Sequence, residues 1–119
     1  MMKEQIKIRT KKIGLEIIIL IDELPNKTSS WVIAKQIVRS STSIGANYRA
    51  ACRAKSPADF INKLKIVEEE TDETIFWLEI LEESKLVEAK RVAMLKCELN
   101  EILAIVVSSI KIKTMRGKK

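Results

Sequence analysis

Residues 39–56 read RSSTSIGANYRAACRAKS, a run that could be a loop, a phosphate-gripping site or a helix that lets another backbone come close. Serine and threonine crowd its first half. Gly45, Ala46, Ala50 and Ala51 follow, and Arg39, Arg49, Arg53 and Lys55 mark its length. One glycine is too few for a phosphate-cradling loop of the glycine-rich kind. The apolar and small positions Val32, Ile33, Ile37, Ser41, Ile44, Tyr48 and Cys52 recur instead at three- and four-residue steps, which is helical spacing. The run therefore continues a helix begun upstream. Its small residues fall where leucine or isoleucine would otherwise sit, so they form a face on which a second helix backbone can come close. Its arginines form an outer face.

Working outward, the same spacing holds on either side. Ile6, Ile13, Ile17, Leu20, Ile21 and Leu24 pattern a first helix, which Pro25 must end because the residue before proline is pushed out of helical geometry. IIILI alone would fit a buried strand, but no partner strand is found elsewhere. Thr28–Ser29–Ser30 offers hydroxyls to cap the second helix. Ser56–Pro57–Ala58–Asp59 is a strong helix start: a serine cap, a proline at the first helical position and an acid in the first turn. Phe60, Leu64, Val67, Thr71, Ile75 (or Thr74) and Leu78 stripe that third helix, and Val92, Leu95, Leu99, Ile102, Leu103, Val106 and Ile110 stripe a fourth. The expectation is one all-α domain over residues 1–119, an antiparallel up-down-up-down four-helix bundle. Its helices cover about 3–24, 29–54, 57–84 and 88–112, and a basic tail, 113–119, frays.

Composition agrees. The 119 residues hold 3 glycines and 2 prolines, too few for long linkers, and 46% hydrophobic residues beside 32% charged ones, which suits amphipathic helices. Histidine is absent. That removes the usual general base, the Ser–His and Cys–His pairs and the commonest metal ligand. No catalytic set, cofactor or metal site is expected. The acidic run EEETDE at 68–73 places Glu69 with Glu73, and Glu68 with Asp72, on shared helix faces. It reads as a solvated or interface face rather than a di-metal site. Cys52 and Cys97 lack metal-ligand spacing and read as reduced, core or half-buried thiols. The apolar run near the N-terminus is far short of the ~20 residues of a membrane span. A cytoplasmic protein with no membrane partner is expected.

The net charge of +6 is unevenly spread. Residues 3–12 carry five bases and one acid, 35–65 seven bases and one acid, and 111–119 five bases alone, whereas 66–88 carry nine acids and one base. An up-down bundle brings the first and last of these basic segments to the same end. Lys7, Arg9, Lys11, Lys12, Lys111, Lys113 and Arg116 are therefore candidate phosphate contacts for RNA or DNA, with Arg49 and Arg53 on helix two. A second apolar stripe on helix three, Ile66, Trp77 and Ile80 beside Glu69 and Glu73, is a candidate subunit interface, with Arg39 as an ionic partner. The residues leave open whether the helix-two arginines meet phosphates of a ligand or carboxylates of helix three. Tyr48 and Trp31 read as packing residues, the latter stapling the entry turn.

Taken together, Arg39, Ser43, Ile44, Asn47, Arg53, Ser56 and Phe60, with Leu64 and Glu73 further on, form an order that resembles the bacterial four helix bundle protein family, also called large-subunit ribosomal RNA intervening-sequence proteins. The resemblance covers roughly residues 5–110. After Ser-Ile that family reads like N-I-A-E-G, where this chain has Asn47-Tyr48-Arg49-Ala50-Ala51 and lacks the glutamate and glycine. The resemblance implies a bundle that assembles into a ring-like homopentamer without enzymatic activity. A related branch, the accessory variability protein of diversity-generating retroelements, binds a reverse transcriptase and nucleic acid. Two functions are carried forward: an oligomeric bundle that binds RNA through basic surfaces, and a protein–protein scaffold with no direct nucleic-acid binding.

Overall fold

Pro25, the Ser56–Pro57 cap and a reversal at Lys85 cut the chain into four helices. In the computed structural model, which describes residues 2–117, these are α1 (Met2–Asp22), α2 (Thr28–Cys52), α3 (Pro57–Glu83) and α4 (Ala89–Gly117). They run up, down, up and down in a rod 53 Å long and 23 × 22 Å across. Ser56 caps α3 as its sequence requires: its side chain accepts the Asp59 amide at 3.1 Å, with proline in the first turn. α3 ends in a Schellman motif. The Leu86 amide bonds to the Leu81 carbonyl at 3.0 Å and the Lys85 amide to the Glu82 carbonyl at 2.9 Å. This places Lys85 at φ 63°, the left-handed region where glycine is the usual occupant.

Three boundary expectations are corrected. No hydroxyl caps α2: its N-cap is Lys27, extended at φ −129° and ψ 155°, without a side-chain cap bond, and the Ser30 hydroxyl is instead buried without a partner. Arg53 and Ala54 lie past α2, in a tight turn whose amides reach back to the Ala50 and Ala51 carbonyls at 3.1 and 3.0 Å. Residues 113–117, expected to fray, continue α4, because Ile110 packs on the core and Lys113 lies half-buried over Phe60. Lys118 and Lys119 lie outside the described residues.

The core is a column of Ile, Leu and Val from all four helices, with Ile17, Ile37, Ile44, Leu78, Leu99 and Ile102 fully shielded. Thr74 rather than Ile75 takes the core position on α3, where its hydroxyl lies 2.9 Å from that of Ser40. Val32 points outward, and Cys97 is exposed while Cys52 is half-buried.

The small-residue face does what its composition suggests. A β-carbon on Gly45 would lie 3.3 Å from the Lys11 nitrogen and the Thr10 carbonyl carbon, so the α2 and α1 backbones meet closely there and any side chain would push them apart. Gly14 faces Thr42 and Ser41 across the same seam. α2 packs broadly on α1 and α3, and α3 on α4, but α1 and α4 touch far less. Replacing Gly45 by valine forces α1 off α2 and should destabilise the fold by about 1–3 kcal/mol, as overpacked sites do. Lys85→Gly should stabilise it by up to about 1 kcal/mol by removing the left-handed penalty. Urea unfolding of the two variants checks both signs.

A candidate nucleic-acid interface at the basic end of the bundle

The start of α1, the α2–α3 turn and the last turns of α4 meet at one end, and each contributes bases. Lys7, Lys11, Arg49 and Arg53 line a surface recess of about 270 Å³ between α1 and α2, with Ile8 and Glu4 at its wall. Lys7 pairs with Glu4 at 3.0 Å, while among the described residues Lys11, Arg49 and Arg53 make no ion pair. A second recess, about 320 Å³, opens beside it and is lined by Lys3, Lys55, Lys113, Cys52 and Phe60. The Lys3 and Lys113 ammonium groups sit 5.6 and 5.7 Å from the Phe60 ring centre. Lys111 and Arg116 are exposed nearby on α4.

Two of the candidate phosphate contacts are engaged elsewhere. Arg9 turns toward α4 and grips Glu98 with two hydrogen bonds, Nε at 2.8 Å and Nη2 at 2.7 Å, and Glu101 at 3.1 Å. Hydrogen bonding to Glu98 raises the Arg9 pKa above its ordinary value, and the same bond lowers that of Glu98. Lys12 leans on Glu16 at 3.9 Å. Both bases line a groove of about 470 Å³ along the thin α1–α4 seam, with Ile13, Ile19, Met94 and Leu95. Arg9 thus straps two helices that share little apolar contact.

The residues of the candidate subunit interface are also drawn inward. Arg39 pairs with Glu70 at 3.0 Å and with Glu73, on α3 of its own chain. The Trp77 indole donates to Glu73 at 3.1 Å, and this bond, followed by that from Arg39, lowers the Glu73 pKa. Trp77 and Ile80 pack against the core, Ile66 and Glu73 are half-buried, and Arg39 and Glu69 are exposed. Open apolar side chains lie on every helix, with Trp31 and Val32 on α2, Phe76 on α3 and Met94 on α4, and on α1 they form a stripe. Ile8, Leu15 and Ile19 are 66, 53 and 58% exposed on the side opposite the core. A signal existed in the sequence, since five consecutive apolar residues, 17–21, cannot all face one core. Lys3, Lys55 and Phe60 were likewise missed as a group. Only the α2–α3 turn brings Lys55 and Phe60 to the chain ends.

The family model described as the 23S rRNA-intervening sequence protein matches residues 3–108. The chain belongs to that family. A crystal structure from Bacteroides thetaiotaomicron VPI-5482, described as a protein with unknown function from the S23 ribosomal protein family, is similar at 38% identity and a TM-score of 0.86. The match covers 93% of this chain and 99% of that one. No curated protein matches the chain. Among the described residues of this intervening-sequence family member, no cluster of His, Cys, Asp or Glu is placed to hold a metal ion, and no helix is long and apolar enough to cross a membrane.

The Arg9–Glu98 strap has a pH signature. Glu98 titrates below the ordinary glutamate value of 4.5 when folded, so the unfolded chain binds the proton first. The stability it contributes is complete above that value and is lost as the pH falls through the folded pKa. Glu98→Gln should therefore lower stability by about 0.5–1 kcal/mol at pH 7, the upper range for partly exposed pairs. It should also flatten the acid limb of stability against pH, measured by thermal melts from neutral to acid pH.

Proposed function

We propose that this protein is a non-enzymatic, self-associating cytoplasmic bundle that binds RNA through its basic end. The observation that carries the reading is the convergence of Lys7, Lys11, Arg49 and Arg53 with Lys3, Lys55, Lys111, Lys113 and Arg116 at one end, while Glu70, Glu73, Glu79 and Glu98 are held in ion pairs along the helices. Such a surface grips phosphates and reads little sequence. Membership of a family named for ribosomal RNA insertions supports RNA as the partner, with DNA the other polyanion the surface would accept. A reverse transcriptase is a further partner the resemblance implies.

Self-association is supported by the outward stripe of Ile8, Leu15 and Ile19, an apolar strip a lone bundle leaves wet. The proposed assembly is the homopentameric ring, with α1 rather than the Trp77 face of α3 as the contact. The same stripe favours a second reading, a scaffold that recruits protein and leaves RNA untouched.

Light scattering coupled to size exclusion, at low and high salt with and without a structured RNA, separates these readings. A multimer that takes up RNA at low salt and releases it at high salt is expected. A multimer indifferent to RNA selects the scaffold, and a monomer removes both. Leu15→Glu with Ile19→Glu should convert the multimer to a monomer of unchanged helix content by circular dichroism. Arg49→Gln with Arg53→Gln should weaken binding to all RNA sequences and reduce the slope of log affinity against log salt by about 1–2.

A further inference from the structure

We infer that the recess around Phe60 is a single-nucleotide site: it takes one unstacked nucleotide of a single-stranded RNA, its phosphate among Lys3, Lys55 and Lys113 and its base against the Phe60 ring. The inference rests on the reading of the basic end as an RNA surface and gives that end a strand preference.

The recess, about 320 Å³, has the size of a small-ligand pocket and admits one nucleotide but not a duplex. Its three lysines come from three separate places in the chain: the first turn of α1, the α2–α3 turn and the end of α4. Among the described residues none of the three makes an ion pair. Two of them have only a ring to rest on, with Nζ atoms 5.6 and 5.7 Å from the Phe60 centre. An ammonium over a phenyl face is a weak contact that a phosphate readily replaces. Once the lysines turn to a phosphate, the ring surface they leave is free for a base, and every base has a face that stacks on an aromatic ring. Phe60 lines this recess, whereas Tyr48, on the neighbouring helix, is buried. Several backbone amides of the turn are already used. Ser56 holds the Asp59 amide and the Asp59 carboxylate holds the Lys55 amide at 3.3 Å, so the lysines, not the helix terminus, carry the anion. Lysine is a point charge without a fixed fork, which suits a phosphate whose sequence context varies.

The test compares a short oligouridylate with a blunt RNA duplex of equal phosphate number, by fluorescence anisotropy over a salt series. The wild-type chain should prefer the single strand. Phe60→Leu, which keeps an apolar side chain on the core, should weaken the single strand by about tenfold, leave the duplex unchanged and leave the salt slope intact. Lys3→Gln, Lys55→Gln and Lys113→Gln together should lower the slope for the single strand by about 2. A Phe60→Leu variant that binds both RNAs like the wild type, or loses both equally, overturns the nucleotide site while the basic-end reading stands. A wild-type chain that binds neither RNA overturns both. Titration with uridine monophosphate, followed by NMR of the Phe60 ring, reads the site alone. Ring shifts that saturate support it, and unchanged ring signals overturn it.

Discussion

The close approach of α1 and α2 at Gly45 governs the rest of the molecule. With no side chain between the α2 backbone and Thr10–Lys11, α1 lies tight against α2 and away from α4. The α1–α4 seam is then too wide to be filled by apolar side chains from both helices, and a polar strap takes their place. Arg9 reaches Glu98 and Glu101 across it, above a groove floored by Ile13 and Leu95. An arginine fork suits this position because its flat, multiply donating head can hold two carboxylates at once.

The same placement turns Ile8, Leu15 and Ile19 to solvent. A helix in a closed bundle buries one stripe, but α1 is apolar on two sides, and Ile8, Leu15 and Ile19 on the second side stay more than half exposed. On α3 the reverse happens. Trp77 and Ile80 find the bundle's own core, and Glu73 is shared between the Trp77 indole and Arg39. Intramolecular pairing thus ties Arg39 of α2 to Glu70 and Glu73 of α3. The bases at the end of the rod lie beyond the reach of those acids, and so they stay available. Charge separation along the sequence becomes charge separation in space because the helices alternate in direction.

The number of helices, their order and the alternation of direction are legible in the residues without the fold. Pro25, Ser56–Pro57 and the three- and four-residue spacing of Ile, Leu and Val are local signals, and helix formation is largely local. The run 39–56 was also legible as a helix with a small-residue packing face, since only close backbone contact rewards Ser41 and Gly45 at core positions, although the helix itself stops at Cys52. The tertiary structure alone decided which partner each charge takes. Arg39 and Arg49 lie on one helix, yet one meets Glu70 and Glu73 while the other makes no ion pair among the described residues, because an arginine's partner depends on which acids lie at its height on the neighbouring helix. The tertiary structure also decided which of two apolar stripes is core and which is surface, since periodicity marks a face without saying what covers it. And it gathered Lys3, Lys55, Lys113 and Phe60 from positions far apart in the chain into one recess. No local pattern encodes that meeting, which depends on the lengths of four helices ending at the same level.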